Sequence, residues 1–299
     1  MIAGRVIKDI IIKSLTGVSV LLVVFIIFSI LSVIVIGGWK NLTWEFLTHF
    51  PEEGMTKGGI FPAIVGTALM TLIMTIAAVP FGTITAIYLA EYASEKSAFA
   101  KTIRFAVKTL AVVPSIIFGL FGLGFFIKFV GLQLDNIFHG GALRWGQPNI
   151  LWASLTMALL TLPVVIVSVE EAIRTIPHDM REASLALGAT RWQTIKKVVL
   201  PGSYTGILTG TILAISRGAG EVAPILFTGA AYYLAELPHS LSDQFMSLGY
   251  HIYIMSTQST NVDDTLPIQF ATTMVLLLLT FSLSLVAVIL RYRIRKKAL

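Results

Sequence analysis

The sequence contains no cysteine, and this absence excludes several kinds of chemistry. Without thiols the chain can form no disulfide framework, no thiol nucleophile and no cysteine-based metal site. The five histidines are His49, His139, His178, His239 and His251, and their spacing is not typical of metal ligands. We therefore expect no bound metal, whereas the lack of cysteine alone does not identify a cellular compartment.

Charged residues are also scarce. Only 13% of the 299 residues are charged, whereas 56% are hydrophobic and the mean hydropathy is +0.84. Soluble proteins have about 25% charged residues, so 22 Lys and Arg with 16 Asp and Glu are too few to cover a water-facing surface. The same numbers exclude intrinsic disorder, because disordered segments are rich in charge and poor in apolar residues. The composition indicates a protein that lies largely in a membrane.

Common enzyme motifs are absent as well. No segment has the form G-x-x-x-x-G-K-[ST], so the chain does not bind ATP through a phosphate-binding loop of that kind. The sequence also has no H-E-x-x-H zinc motif and no arrangement that supports a catalytic triad. We expect neither a cofactor nor an enzymatic activity in this chain.

Long apolar runs dominate the sequence instead. A bilayer core of about 30 Å needs roughly 20 apolar residues in helical conformation. We predict an all-α, polytopic membrane protein with one domain over residues 1–299. Its six predicted spans are 15–36, 62–90, 109–129, 150–169, 204–228 and 268–290. The first run is more typical of an uncleaved helix than of a signal peptide, because Gly37-Gly38-Trp39-Lys40 contains no clear small-x-small cleavage site.

Lysine and arginine are unevenly distributed over the segments between these spans. Seventeen of the 22 lie in the two terminal tails and in the segments after the second and fourth spans. The opposite segments contain only Lys40, Lys57, Lys128 and Arg144, and Arg217 lies within the fifth span. Because cytoplasmic segments carry the excess of positive charge, both termini are predicted to be cytoplasmic. The net charge of +6 is therefore an orientation signal and does not indicate a nucleic-acid partner.

The fifth span contains two charged residues, Arg217 and Glu221. A charge at the bilayer centre costs about 2.5–3.5 kcal/mol on insertion scales, so such residues usually face a bundle interior or a water-filled cavity. A spacing of four residues places both on one helix face, within reach of each other. Two interpretations remain open. In the first, the two residues form a structural ion pair. In the second, Arg217 binds an anion and Glu221 keeps the arginine in position while no anion is present. A planar guanidinium suits this role because it binds two oxygens of an oxyanion at once.

The polar segment 170–201, between the fourth and fifth spans, is patterned as a helical hairpin. Pro177 suits a first helical position, and Gly188 suits the left-handed residue that ends a helix. Thr190 and Gln193 match a capping box that starts a second helix, which we expect to end at Leu200. A DNA-binding helix-turn-helix is disfavoured, because both ends lie within a few residues of the membrane. A docking element for a partner protein fits better.

The same segment resembles a known family. Glu182-Ala183-Ser184, then Gly188, then Val198-x-Leu200-Pro201 resembles the EAA loop of binding-protein-dependent ABC importer permeases. Ser184 and Val198 depart conservatively from the Ala and Ile of the family pattern. The resemblance implies a type I importer permease fold in which this loop is the coupling helix that docks on an ATPase subunit. It also implies that Glu182, Ala183 and Gly188 are the coupling positions.

Further motifs are similar to the phosphate branch of this family. They are Gly58–Thr67, Tyr88-Leu89-Ala90-Glu91-Tyr92, 113–119 and the run 217–224. The resemblance implies that Arg217, Glu221 and Ser115 belong to the substrate pathway. Val222 replaces a threonine that is common in the family, which removes a hydroxyl but keeps both charges.

The resemblance also implies partners and a location. The expected complex has a homologous permease (PstC-like), two ATPase subunits (PstB-like) and an external phosphate-binding protein (PstS-like), and it imports inorganic phosphate across the prokaryotic plasma (inner) membrane. A molybdate or sulfate importer is the alternative. An ATPase-independent secondary transporter is disfavoured, because it would need more carboxylates within the spans than Glu221, the only one expected there.

Overall fold

The computed structural model describes residues 2–52, 57–94, 96–234, 236–259 and 262–298. The predicted domain, 1–299, also includes Met1 and Leu299, which lie outside the described residues. The helices are α1 (Ile2–Gly38), α2 (Trp44–Thr48), α3 (Phe61–Ile87), α4 (Ala98–Val112), α5 (Ser115–Phe121), α6 (Leu132–Phe138), α7 (Ile150–Arg174), α8 (His178–Ala186), α9 (Arg191–Thr194), α10 (Leu200–Gly218), α11 (Leu248–Thr257) and α12 (Val262–Ala298). A 3-10 turn (Trp39–Asn41) follows α1, and strands β1 (Pro51–Glu52) and β2 (Lys57–Gly58) pair antiparallel.

Wider π-helical turns extend or join several of these helices. They are Tyr88–Tyr92 after α3, Gly122–Gly131 between α5 and α6, and Ile195–Val199 between α9 and α10. Among the described residues, six continuous helical segments are long and apolar enough to cross a membrane. They are Ile10–Asn41, Phe61–Tyr92, Ser115–Phe138, Ile150–Arg174, Arg191–Gly218 and Thr265–Arg293. The predicted all-α fold with six spans is confirmed.

The third span differs from the predicted range of 109–129. Helix α4 ends at Val112, and a new helix begins at Ser115 and continues to Phe138. Pro114 causes the break, because proline lacks an N–H and forces the preceding residue into an extended conformation. Val113 adopts that conformation, with φ −67° and ψ 131°.

The fifth span also differs from its predicted range, 204–228. The helix ends at Gly218, and at its other end it is continuous with α9 through the π-helical turn. The predicted boundary at Leu200 is therefore wrong, because the chain remains helical across Pro201. Proline is tolerated there since a wider turn directly precedes it and relieves the missing backbone hydrogen bond.

Helix α7 lies at the centre of the fold. Its residues Met157, Val165 and Val169 are completely buried, and they belong to one core with Met74 of α3 and Ala214 of α10. Only apolar or small side chains meet here, which is expected where three membrane helices pack closely. Helices α3 and α10 therefore both pack on α7, and they also pack on each other.

Helix α10 approaches α7 through a residue without a side chain. A Cβ atom at Gly206 would collide with Ala172 of α7, so the two backbones can come this close only with glycine at this position. Helix α10 also packs against α12. Leu213 and Arg217, near the end of α10, remain exposed.

Candidate transport pathway and coupling hairpin

Arg217 is the penultimate residue of α10, and its side chain is exposed. Glu221 lies after the helix in a turn, where its N–H donates a hydrogen bond of 3.3 Å to the carbonyl of Gly218. Within the described residues, neither side chain forms an ion pair or a hydrogen bond. The predicted placement of both residues on one helix face is wrong, because α10 ends at Gly218, before Glu221. The helix ends early because Gly218, Gly220 and Pro224 are all poor helix formers.

The surroundings of Arg217 contain further polar groups. Ser216, the neighbour of Arg217 in the sequence, is exposed, and its Oγ lies 3.1 Å from Ser284 Oγ of α12. Lipid-facing helix surfaces are apolar, whereas charged residues within spans face bundle interiors or water-filled cavities. An exposed arginine next to an exposed serine therefore suits a water-filled passage better than a lipid contact.

Ser115 is the first residue of α5 and is half-buried directly after the break at Pro114. One turn further along, a Cβ atom at Gly119 would lie 3.0 Å from the Cα of Pro224. The helix of Ser115 thus packs on the segment that follows Glu221. No hydrogen bond or ion pair joins the side chains of Ser115, Arg217 and Glu221 in the part of the chain that the structure describes. The structure brings their elements together, and their role in the pathway remains a prediction.

The segment between α7 and α10 forms the predicted hairpin of two helices, α8 and α9. Gly188, which follows α8, has φ +84°, the left-handed conformation expected from its position. The capping box is also present. The N–H of Gln193 donates to Thr190 Oγ1 at 3.2 Å, and the N–H of Thr190 donates to Gln193 Oε1 at 2.8 Å. Pro177 precedes the first helical residue rather than occupying it.

The hairpin presents an uncovered surface. Glu182, Ala183 and Gly188 are all exposed, and no residue of α8 is buried. Leu187, directly before the turn, is 89% exposed, and Trp192 of α9 is also exposed. Contiguous exposed apolar residues indicate an interaction surface, which agrees with the expected docking role of Glu182, Ala183 and Gly188 without testing it.

An ion pair that sequence reasoning missed connects the hairpin to the spans. Arg181 Nη2 of α8 lies 2.8 Å from Glu91 Oε1, with side chains only 14% and 12% exposed. Arg181 also donates to the carbonyl of Ile173 on α7, at 2.8 Å. Both charged residues lie in or beside the motifs of the family resemblance, but 90 positions separate them. The pair anchors α8 to the ends of α3 and α7.

A second group of ion pairs lies at the same end of the molecule. Glu170 Oε1 of α7 accepts from Arg104 of α4 at 3.1 Å and from Arg174 at 2.9 Å. Arg104 also donates to the carbonyl of Leu89, at 2.8 Å. The π-helical turn after α3 is thus tied both to the hairpin and to α4. A displacement of the hairpin would act directly on α3, α4 and α7.

We expect Arg181→Met to destabilise the protein by about 3 kcal/mol, because it leaves the mostly buried carboxylate of Glu91 without its partner. Thermal unfolding of the detergent-purified protein measures this loss. Arg191→Gln is the matched control, since Arg191 lines the same cleft but is exposed. An equal unfolding temperature for both variants would show that the Arg181–Glu91 pair does not hold the hairpin.

At the opposite end of the molecule, the carboxylates of Asp135 and Asp243 accept hydrogen bonds from backbone N–H groups. Asp135 is almost completely buried and accepts hydrogen bonds of 2.6–3.0 Å from the N–H groups of Arg144, Trp145 and Gly146. It lies within the candidate span Ser115–Phe138, and the candidate spans also contain Glu91, Glu170 and Glu171. Glu221 itself lies after the fifth span, which ends at Gly218, so the expectation that it is the only carboxylate in a span is wrong. The backbone hydrogen bonds of Asp135 give it a structural role.

Asp243 organises a second loop at this end. Burial alone would raise its pKa, but hydrogen bonds from the Ser240 hydroxyl and from the N–H groups of Ser240 and His239 outweigh that effect and lower the pKa. Asp243 therefore stays ionised well below neutral pH.

Comparison with known proteins identifies the family. The family of the binding-protein-dependent transport system inner membrane component matches residues 78–296. The probable ABC transporter permease protein YqgI of Bacillus subtilis is 32% identical over 75% of this chain and 71% of its own length. The phosphate transport system permease protein PstA of Mycobacterium leprae is 37% identical over 66% of this chain, and that of Haemophilus influenzae is 32% identical over 78%. The chain covers 61% and 73% of these two relatives.

Solved structures agree on the fold. A chain of the bacterial alginate ABC transporter, in complex with an alginate pentasaccharide-bound periplasmic protein, has a TM-score of 0.66 and 16% identity, covering 97% of this chain and 96% of its own. A chain of the inward-facing MetNI methionine ABC transporter has a TM-score of 0.55 and 16% identity, covering 79% and 94%. The family match covers most of the chain, and six apolar helices accompany it. This chain therefore belongs to the binding-protein-dependent transport system inner membrane components, a family of multi-pass membrane transport subunits.

Proposed function

We propose that this chain is the permease subunit of an ATP-driven phosphate importer and forms half of its translocation pathway. The observation that carries the proposal is Arg217, an exposed arginine within a candidate span that has no carboxylate partner among the described residues. Its planar guanidinium can bind two oxygens of a phosphate at once. The phosphate permeases among the relatives support phosphate over molybdate or sulfate, which the same guanidinium chemistry would also accept.

Different partners are expected at the two ends of the molecule. The exposed surface around Glu182 and Ala183 docks on an ATPase subunit, and a homologous permease completes the pathway and carries a second hairpin for a second ATPase. An external binding protein delivers the phosphate at the opposite end. The excess of Lys and Arg at the hairpin end supports an orientation in which the hairpin and both termini are cytoplasmic.

The ion pairs suggest how docking drives transport. ATP binding closes the two ATPases and pulls the hairpin between Glu182 and Gly188. The Arg181–Glu91 pair passes this displacement to α3, and α7 moves with it, so that the pathway opens toward the binding protein. Phosphate then enters near Arg217. After ATP hydrolysis the hairpin moves back to its starting position, and the pathway opens toward the cytoplasm.

Reconstitution with the candidate partners tests this function. The complex in proteoliposomes, supplied with the binding protein, should take up phosphate only when ATP is present, and uptake of molybdate or sulfate should be at background level. Omission of the binding protein is the control for coupling. Uptake that needs no ATP would indicate a secondary transporter, and preferential uptake of molybdate or sulfate would overturn the substrate assignment.

A further inference from the structure

Several arginines lie within the candidate spans, and one of them, Arg291 of α12, bonds to a neighbouring span. Arg291 belongs to the span Thr265–Arg293 and is half-buried, and its Nη1 donates a hydrogen bond of 3.2 Å to Thr209 Oγ1 of α10. In the part of the chain that the structure describes, no carboxylate pairs with it. Sequence reasoning counted Arg291 only as one of the basic residues of the C-terminal tail.

Two side-chain hydrogen bonds join α10 to α12, and Arg291 forms one of them. Ser216 and Ser284 meet at 3.1 Å, and Thr209 and Arg291 meet at 3.2 Å. Both steps are seven residues, which is two helical turns or about 10 Å on each antiparallel helix. Arg217 follows Ser216 directly in the sequence. Arg291 therefore lies about two helical turns closer to the hairpin than Ser216, the residue before Arg217 in the sequence.

The donors of Arg291 are largely uncommitted. A guanidinium has five N–H donors, and Thr209 Oγ1 accepts from only one of them. Thr209 in turn donates its own proton to the carbonyl of Thr205, at 2.7 Å. The Thr209 hydroxyl is thus oriented so that its oxygen accepts from Arg291. The remaining guanidinium donors suit a ligand with several acceptor oxygens.

We infer that Arg291, positioned by Thr209, is a second oxyanion-binding position of the pathway and takes phosphate after it leaves Arg217. This inference rests on the proposed function. Several sites of moderate strength along a pathway let an ion enter and still leave. A lipid headgroup phosphodiester has the same chemistry as free phosphate, and the test must separate the two.

The first test compares uptake by reconstituted variants. Arg291→Gln should slow ATP-dependent phosphate uptake about tenfold, the equivalent of about 1.4 kcal/mol, and Thr209→Val should slow it less. Arg293→Gln is the matched control, because it removes the same charge from an exposed position on the same helix and should leave uptake unchanged. Equal uptake by Arg291→Gln and Arg293→Gln would overturn the inference. Co-purification with the ATPase and the second permease reports whether each variant still assembles.

The lipid composition separates the two sources of phosphate. The effect of Arg291→Gln should be the same in vesicles of neutral phosphatidylcholine and in vesicles that also contain anionic phosphatidylglycerol. An effect confined to the anionic vesicles would assign the site to a lipid headgroup and overturn its place in the pathway.

A second test does not depend on uptake, and it uses the absence of cysteine from this chain. Thr205→Cys introduces a single thiol one turn from Thr209 and keeps the hydroxyl that positions Arg291. Inorganic phosphate should slow the reaction of this exposed thiol with a charged thiol reagent, whereas chloride should not. Arg291→Gln in the same background should remove the protection. If phosphate protects the thiol but the complex takes up no phosphate, the anion site is supported and the importer function is rejected. Uptake without protection would reject the site alone.

Discussion

Arg217→Ala is expected to abolish phosphate uptake while the transport complex still assembles. Losing two charge-assisted hydrogen bonds to the anion, each worth about 1.5–3 kcal/mol, corresponds to at least about a hundredfold loss of rate. The fold should tolerate the change, because the side chain is exposed and leaves no buried carboxylate without a partner. Uptake into proteoliposomes, measured with co-purification of the partner subunits, checks both parts.

Two further variants sharpen this result. Arg217→Lys keeps the charge but loses the planar fork, so it should retain only part of the uptake. Glu221→Gln should cost much less than Arg217→Ala, because Glu221 does not pair with the arginine. Full uptake by Arg217→Ala would remove this residue from the pathway. An equal loss in Glu221→Gln would instead mean that the two side chains meet during transport.

Local signals in the sequence predicted a large part of this fold. Hydropathy located all six spans, because bilayer thickness fixes the length of each apolar run. Capping chemistry located the hairpin, because Thr190, Gln193 and Gly188 act on backbone groups within a few residues of themselves. The family motifs in the same segments led to the family that the comparisons then confirmed.

Contacts between distant segments could not be predicted in this way. The Arg181–Glu91 and Arg104–Glu170 pairs join residues 90 and 66 positions apart, and the sequence showed them only as charges. The placement of Arg217 and Glu221 on one helix face was predicted from a spacing that requires an unbroken helix. Glycine and proline near the end of α10 break that helix, so the spacing rule fails at Arg217, the residue on which the proposed function depends.

The last prediction concerns Gly188. We expect Gly188→Val to weaken docking of the ATPase about tenfold or more and to reduce uptake in proportion. The structure places no atom within 4 Å of a Cβ at this position, so a side chain would not collide with the chain itself. The obstacle is φ +84°, a conformation that costs a β-branched residue about 1–3 kcal/mol. The Arg181–Glu91 pair holds the start of α8, so this strain would be relieved by displacing the end of α8 from α9, against the 2.9 Å hydrogen bond between Ser184 and Thr194. The docking surface would then lose its shape.

Gly188→Asn separates backbone strain from contact with the partner. Asparagine adopts the left-handed conformation more readily than other residues with a side chain, so the hairpin should keep its shape and most of its affinity for the ATPase. Co-purification with the ATPase measures both variants. If Gly188→Asn fails as completely as Gly188→Val, the ATPase contacts this position directly and the backbone explanation is wrong. If both variants bind normally, the hairpin around Gly188 is not the coupling element.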